Sequence, residues 1–269
     1  MKENKIYNED CLKTMARMPD NFIDLTVTSP PYDDMRTYKN DIHKSWGEHK
    51  WKPIIEMLYN KTKEGGVVVW VIGDKTKNGN ESGSSFKQAL YFQSVGFNLF
   101  DTMIYSKKPR GACGNNKTYW QSFEYMFVFS KGKPKTINLI KDRENKDQRK
   151  GDNGTKRLKN GTLKKIARGG YGRYGRRTNV WEYRIGKGHS ASDDFAYNHP
   201  AIFPEQLAGD HIISWSNAGD LIYDPFMGSG TTAKMADRYE RKWIGSELSS
   251  EYTQIANQRI NNSLTLALL

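Results

Sequence analysis

An apolar run near the end of the chain stops at Asp224-Pro225-Phe226-Met227-Gly228-Ser229-Gly230-Thr231-Thr232. Strand, glycine-rich turn, helix, strand and then an acid, Glu247, form a nucleotide-binding arrangement. Glycines at 228 and 230 let the backbone approach a ligand closely. The N-terminus of the following helix offers N–H groups without intrahelical partners. Residues 228–233 also satisfy the dinucleotide fingerprint, with Ala233 as its third member. Yet only 36 of the 269 residues follow Ala233, room for about one more strand–helix unit. The other strands of the sheet must come from the front of the chain, so the order is circularly permuted.

At the front, residues 22–28 read as a buried strand running into Ser29-Pro30-Pro31-Tyr32. Two prolines cannot continue a central strand. They fix the backbone and leave the Pro30 carbonyl with few local partners. Ser29 adds an acceptor oxygen and Tyr32 a flat aromatic face. An exocyclic amino group has two hydrogens to donate, one to the Ser29 hydroxyl and one to the Pro30 carbonyl. Held so, its nitrogen leaves planar conjugation and aims a lone pair at an electrophile, with Tyr32 stacked on the ring.

Between these segments the pattern alternates. A helix is predicted over 51–63, ended by Gly65-Gly66, and then a strand over 67–72. Ser84-Ser85 are expected to cap a helix reaching Val95, followed by strands at 97–105 and 123–129. After Asn198 come a helix over 204–214, a strand over Leu221–Asp224, a helix over 231–239, a strand over 243–247 and a helix over 251–261. Such alternation predicts an α/β fold with a mainly parallel sheet and helices on both faces.

The pattern breaks over residues 131–196, where Gly, Lys, Arg and Asn dominate. Residues 131–187 hold 19 Lys and Arg against 5 Asp and Glu, a net of +14 in a chain whose total is +12. The whole basic excess therefore lies in one internal block, as a polyanion-binding surface requires. Within it Arg173, Arg176 and Arg177 suit guanine edges, Arg168 begins the same basic run, and Tyr171, Tyr174 and Trp181 suit wedging or stacking.

Two cysteines, Cys11 and Cys113, argue against a disulfide framework or a cysteine zinc site. His43, His49, His189 and His211 show no ligand spacing, so no metal is expected. The N-terminus is polar, and no run approaches the ~18 apolar residues of a membrane span. A cytoplasmic protein, bacterial or phage-encoded, is the expectation.

Together these motifs resemble the DNA methyltransferases that modify exocyclic amino groups, N4 of cytosine or N6 of adenine, with S-adenosylmethionine. The family's catalytic tetrapeptide, [Asp/Asn/Ser]-Pro-Pro-[aromatic], is matched by Ser29-Pro30-Pro31-Tyr32. Its donor motif, Phe-x-Gly-x-Gly, is matched by Phe226-Met227-Gly228-Ser229-Gly230. The order, with catalytic motif first, recognition region central and donor motif last, is that of the β subgroup. The resemblance implies a Rossmann-like methyltransferase domain from residues 1–130 and 197–269 and a target-recognition region at 131–196.

It also implies roles. Asp10 contacts the donor's adenine and Glu247 its ribose. His199, Phe203 and Pro204, in a His-Pro-x-x-Phe-Pro element, shape the methionine pocket. Asp224 orients the methionine amino group. Thr28, Pro225, Phe226, Gly228, Ser229, Gly230, Thr231 and Thr232 complete the donor site. From its position directly after the catalytic motif, and apart from the resemblance, loop 33–49, with Asp33, Asp34, Arg36 and Trp46, is expected to close over that motif. Neither cysteine follows a proline, as a C5-cytosine methyltransferase's nucleophile does, and amino methylation needs no covalent intermediate.

The resemblance implies N4 of cytosine over N6 of adenine, because family members with Ser at the position of Ser29 often modify cytosine. RNA or a protein glutamine as acceptor, and a nucleic-acid-binding protein with an inactive nucleotide domain, are the weaker alternatives. Double-stranded DNA is the expected partner, and a homodimer and a cognate restriction enzyme stay open.

Overall fold

The computed structural model describes residues 1–31, 46–108, 119–146, 151–170, 172–199, 202 and 204–267. Tyr32, Tyr171 and Phe203 lie outside the described residues, as do Asp33, Asp34, Arg36, His43, Cys113 and Pro200. The chain forms two compact units, Met1–Asn138 with Asn179–Leu269, and Leu139–Thr178.

The larger unit opens with β1 (Lys5–Tyr7), α1 (Cys11–Ala16), β2 (Ile23–Thr28), α2 (Glu48–Lys61) and β3 (Thr62–Ile72). A small hairpin, β4 (Thr76–Lys77) and β5 (Asn80–Glu81), leads to α3 (Ser84–Val95), β6 (Asn98–Lys108) and β7 (Phe123–Ser130). The smaller unit holds β8 (Arg143–Glu144), β9 (Asp152–Arg157), β10 (Leu163–Arg168) and β11 (Tyr174–Gly175). Back in the larger unit follow β12 (Val180–Arg184), a 3-10 turn (Asp194–Asn198), α4 (Glu205–Trp215), β13 (Leu221–Asp224), α5 (Thr231–Arg238), β14 (Lys242–Ser246) and α6 (Ser250–Ala267).

Eight strands pair in the order β1-β14-β13-β2-β3-β7-β6-β12. All neighbours are parallel except that β7 runs against β3 and β6. The late strands β13 and β14 insert between β1 and β2, which is the permuted order the sequence requires. Successive residues of a strand face opposite sides, and β7 shows both. Phe129 stacks on Phe92 of α3 with centroids 4.1 Å apart, while Met126 Sδ lies 3.2 Å from His211 Nε2 of α4. Helices therefore cover both faces, and the sheet is the α/β, Rossmann-like one expected. The central strands are nearly all apolar because neither face meets water: Val67 to Ile72 are at most 1% exposed.

Local details differ from the sequence reading. Gly65-Gly66 do not end α2. The helix stops at Lys61, where the Thr62 hydroxyl donates to the Leu58 carbonyl at 2.6 Å. Both glycines lie inside β3, where the register with β2 shifts between Ile23 and Leu25. A Cβ on Gly66 would stand 3.0 Å from the Asp24 carbonyl, so this irregular crossing excludes a side chain. Ser84 and Ser85 are the first residues of α3 rather than its caps. Asp74 accepts from the Ser85 N–H at 2.9 Å and also from the Ser85 hydroxyl, so a carboxylate from outside the helix does the capping.

The basic block is not one unit. Residues 131–138 and 179–196 belong to the larger unit, and only Leu139–Thr178 separates. Trp181, expected to stack on a base, lies in β12 and is 6% exposed, its ring 4.6 Å from that of His211. In the smaller unit β9 and β10 form an antiparallel hairpin that sets Lys164 opposite Lys156, and β11 pairs with β8. Arg177 is ion-paired to Asp142 at 2.5 Å, and Arg173 to Glu144 at 3.5 Å. Arg176 and Tyr174 are exposed, and Arg168 ends β10.

Candidate active site

Parallel sheets gather ligands at the carboxyl ends of their strands. Here β1, β14, β13, β2 and β3 all finish at one edge; Asp224 is the last residue of β13, and Asp10, Ser29 and Glu247 stand on the segments just beyond β1, β2 and β14. A cavity of about 670 Å³ opens there, within the roughly 300–1,000 Å³ of small-molecule sites. Its wall includes Asp10, Ser29, Pro30, Pro31, His199, Pro225, Phe226, Gly228, Ser229, Thr231 and Glu247. Residues nearly two hundred positions apart thus share one wall.

The turn 226–230 is locked from several sides. Gly228 has φ +52° and donates its N–H to Glu247 Oε2 at 2.8 Å. A Cβ there would stand 3.0 Å from His199 Nε2. Gly230, φ +82°, precedes α5, and a Cβ on it would meet Ala256 of α6 at 2.7 Å. His199 packs edge-on against Tyr252 with centroids 4.3 Å apart. Glu247 Oε1 also accepts from the Ser249 N–H at 2.8 Å. Burial raises the Glu247 carboxyl above the usual range, and these two N–H groups oppose the rise.

Four predicted residues stand behind the wall rather than in it. Thr28 is wholly buried and donates its hydroxyl to Asp224 Oδ1 at 2.6 Å. Asp224 also accepts from the Phe226 N–H at 2.9 Å, and burial pushes its carboxyl up to about 6. Thr232 donates to the Val27 carbonyl at 3.1 Å, and Pro204 precedes α4. None of the four lines the cavity, nor does Gly230. Asp10 does line it, and caps α1 by accepting from the Leu12 N–H at 2.8 Å.

Sequence reasoning missed a buried ion cluster under the turn. Arg259 of α6, 0% exposed, donates from Nη1 to the Ser229 carbonyl at 2.7 Å, to Ser229 Oγ at 2.9 Å and to Thr231 Oγ1 at 3.1 Å. Its other nitrogens reach Asp193 at 3.1 Å and Glu205 at 2.6 Å. Lys234 of α5 meets the same two carboxylates at 2.5 Å and 2.9 Å. Burial would raise both acids, but Lys234 and Arg259 prevail and hold them below the carboxylate range. No spacing signal could have found this cluster, because Arg259 lies 66 and 54 positions from its acids.

Aromatic and charged residues complete the cavity. Trp46 lines it and packs edge-on against Phe226, centroids 5.5 Å apart. The Trp46 Nε1 is buried with no hydrogen-bond partner among the described residues. Tyr105, Lys107 and Glu124 line it as well. Among the described residues no group of three or more His, Cys, Asp or Glu could hold a metal ion.

A permuted Rossmann-like sheet, with a proline corner and a glycine turn meeting at one strand edge, defines a methyltransferase-type fold. The comparisons with known proteins narrow the class. The profile of the N6/N4 DNA methylases matches residues 23–258. The chain is 54% identical over 254 residues to the orphan methyltransferase M.BamHII of Bacillus amyloliquefaciens, covering 91% of each protein. To the Type II methyltransferase M.BglII of Bacillus subtilis it is 30% identical over 269 residues, covering 95% of this chain and 68% of that one. In fold it is similar to the PvuII DNA methyltransferase (cytosine-N4-specific), with TM-score 0.69, 21% identity and coverage of 96% and 86%. It is also similar to M1.HpyAVI solved with SAM, with TM-score 0.62, 20% identity and coverage of 96% and 98%. The chain belongs to the N6/N4 family of DNA methylases and is a DNA methyltransferase.

Proposed function

We propose that the protein transfers a methyl group from S-adenosylmethionine to the exocyclic amino group of a base flipped out of duplex DNA, with N4 of cytosine favoured. One observation carries the reading: the Ser29-Pro30-Pro31 corner and the Gly228–Glu247 turn line a single cavity. Transfer requires the two reactants to be aligned in one enclosed site.

The residues present fit the donor. Gly228 keeps side-chain bulk away from the turn, and Glu247 is an acid at the end of β14 suited to ribose hydroxyls. Asp10 flanks the cavity for the adenine. The buried Trp46 N–H supports the fit, since it lacks a partner among the described residues and a bound polar group would satisfy it. When bound, the donor supplies an electrophilic methyl on a sulfonium. Ser29 and Pro30 would accept the two amino hydrogens of the base, and Tyr32 would stack on its ring. Asp224 and Thr28 would act from behind the wall by holding the two strand ends together.

A base inside a duplex must be extruded at a cost of a few kcal/mol. The unit Leu139–Thr178 is proposed as the core of the target-recognition region, supplying the compensating attraction. If it neutralises ~6 phosphates, log affinity falls with log salt at a slope of about −5. The proposed setting is the cytoplasm, where DNA and donor meet.

Digestion of methylated duplex DNA and mass spectrometry of the nucleosides test this reading. N4-methylcytosine is expected. N6-methyladenine would overturn the choice of base. Labelling of RNA alone would overturn the DNA substrate, and calorimetry showing no donor binding would overturn the donor.

A further inference from the structure

The sheet order sorts the cavity wall into two sides. Asp10, Gly228 and Glu247 follow β1, β13 and β14, on one side of the Ser29-Pro30 corner that follows β2. Tyr105, Lys107 and Glu124 line the same cavity from β6 and β7, on the other side of that corner. The donor roles above use none of these three. Tyr105 and Lys107 are two apart on one strand and share a face. Glu124 is the cross-strand partner of Tyr105 and shares that face too. The Lys107 ammonium lies 2.5 Å from Glu124 and 5.8 Å from the Tyr105 ring centroid. The two charged side chains are only 25% and 15% exposed. A lysine at a strand end ordinarily extends its ammonium into water. This one is held back against an aromatic wall, inside a ligand-sized cavity.

We propose that Lys107, positioned by Glu124, is a specificity-determining residue that donates a hydrogen bond to the ring nitrogen beside the amino group of the extruded base. This assignment rests on the amino-methyltransferase reading above. Ser29 and Pro30 accept from the amino group. The adjacent ring atom, N3 of cytosine or N1 of adenine, is an acceptor and requires a donor. An ammonium carries three N–H groups and no acceptor, and Glu124 takes one. Thymine and guanine carry an N–H at that ring position, so the same ammonium opposes a donor and rejects them.

The test measures methylation of duplexes carrying either the natural target base or its deaza analogue, with that ring nitrogen replaced by CH and the amino group kept. Wild type, Lys107→Met and Glu124→Gln are compared, with donor affinity measured by calorimetry. Lys107→Met is expected to bind donor as wild type does and to lose about tenfold or more in kcat/KM on natural DNA, as loss of a charge-assisted hydrogen bond implies. Wild type should lose a similar factor on the analogue, and Lys107→Met should lose nothing further there. Glu124→Gln, which loosens the clamp but keeps the donor, should fall between. Wild-type rates from Lys107→Met on natural DNA, or fully multiplicative losses on the analogue, would overturn the assignment alone. Wild-type protein that binds donor but methylates no duplex DNA would overturn the underlying reading with it.

Discussion

Thr28 donates its hydroxyl to Asp224 at 2.6 Å across 196 positions of sequence. That bond joins the strand ending in Ser29-Pro30 to the strand ending in the glycine turn. Both groups are at most 1% exposed, so neither has water as an alternative partner. Replacing Thr28 with Val keeps the shape and removes the donor. The cost of leaving a buried carboxylate short of a partner is about 1–3 kcal/mol. Thr28→Val should lose that much stability in denaturant unfolding, and methyl transfer should fall more than donor affinity, because the two half-sites drift apart. Equal losses in both would show that the bond serves only the donor turn.

Asp224 itself gives a pH signature. Burial raises its carboxyl from 3.8 to about 6 in the folded protein. The folded state then holds a proton that the unfolded state has released, between roughly pH 4 and 6. The stabilising contribution is full below the unfolded pKa and is lost as pH rises through the folded one. Two units correspond to about 3 kcal/mol at most. Asp193 and Glu205 are held low by Lys234 and Arg259, so they act in the opposite sense, losing stability as pH falls. Only a difference curve isolates Asp224. Wild type minus Asp224→Asn should decline from pH 4 to 6 and stay flat above. A flat curve throughout would mean that Asp224 titrates normally.

How much of this was legible follows from what each feature depends on. The permuted sheet could be read because the glycine turn at Gly228 and Gly230 follows the proline corner in sequence instead of preceding it. The proline corner could be read because Pro30 and Pro31 can do little else after an apolar strand. Asp10, Ser29, His199 and Glu247, singled out from short local patterns, come together at the wall of one cavity. Arg259 was not singled out, because its meaning lies in partners from three other elements. Trp181 was misjudged for a related reason: an aromatic in a basic sequence reads as a surface wedge, yet pairing of β12 with β6 carries it into the core. The smaller unit's hairpin escaped notice because the few apolar residues of its strands, Leu163 and Ile166 of β10 among them, are too sparse to leave a periodic apolar signal.

The ion cluster under the glycine turn predicts a strong effect of Arg259. Removing one member of a buried charged group leaves the others uncompensated, at about 3–5 kcal/mol. Arg259→Met should lose that stability and should weaken donor binding, since three hydrogen bonds to Ser229 and Thr231 go with it. Lysine keeps the charge but not the planar fork. Arg259→Lys should therefore recover stability more than donor affinity. Calorimetry beside thermal unfolding separates the two. Donor affinity unchanged in both variants would detach the cluster from the turn.

Gly228 offers a sharper steric test. Its φ of +52° disfavours any L side chain, and a Cβ would press on His199 Nε2 at 3.0 Å. Gly228→Val adds β-branching to a position already strained. Donor binding should be abolished while Tyr32→Ala, which removes the proposed stacking face, should weaken DNA capture and spare the donor. Retained donor affinity in Gly228→Val would move the donor away from this turn.

The hairpin β9–β10 predicts opposite signs for stability and binding. Lys164 faces Lys156 across the two strands. Like charges directly opposite destabilise a strand pair, and both lysines are exposed, so packing does not offset the repulsion. A polyanion that neutralises both lysines would. Lys156→Gln with Lys164→Gln should leave the fold as stable or slightly more so, weaken DNA binding, and reduce the magnitude of the salt slope by about 2. Arg177 differs because Asp142 already neutralises it within the same unit, and the carboxyl is held below its usual range by the Arg177 hydrogen bond. Arg177→Gln should change the salt slope little and unsettle the unit instead. The two sets of variants, measured by salt titration of DNA binding, separate cations that await a phosphate from those already committed to the fold. An unchanged slope in the double lysine variant would remove the hairpin from the DNA interface.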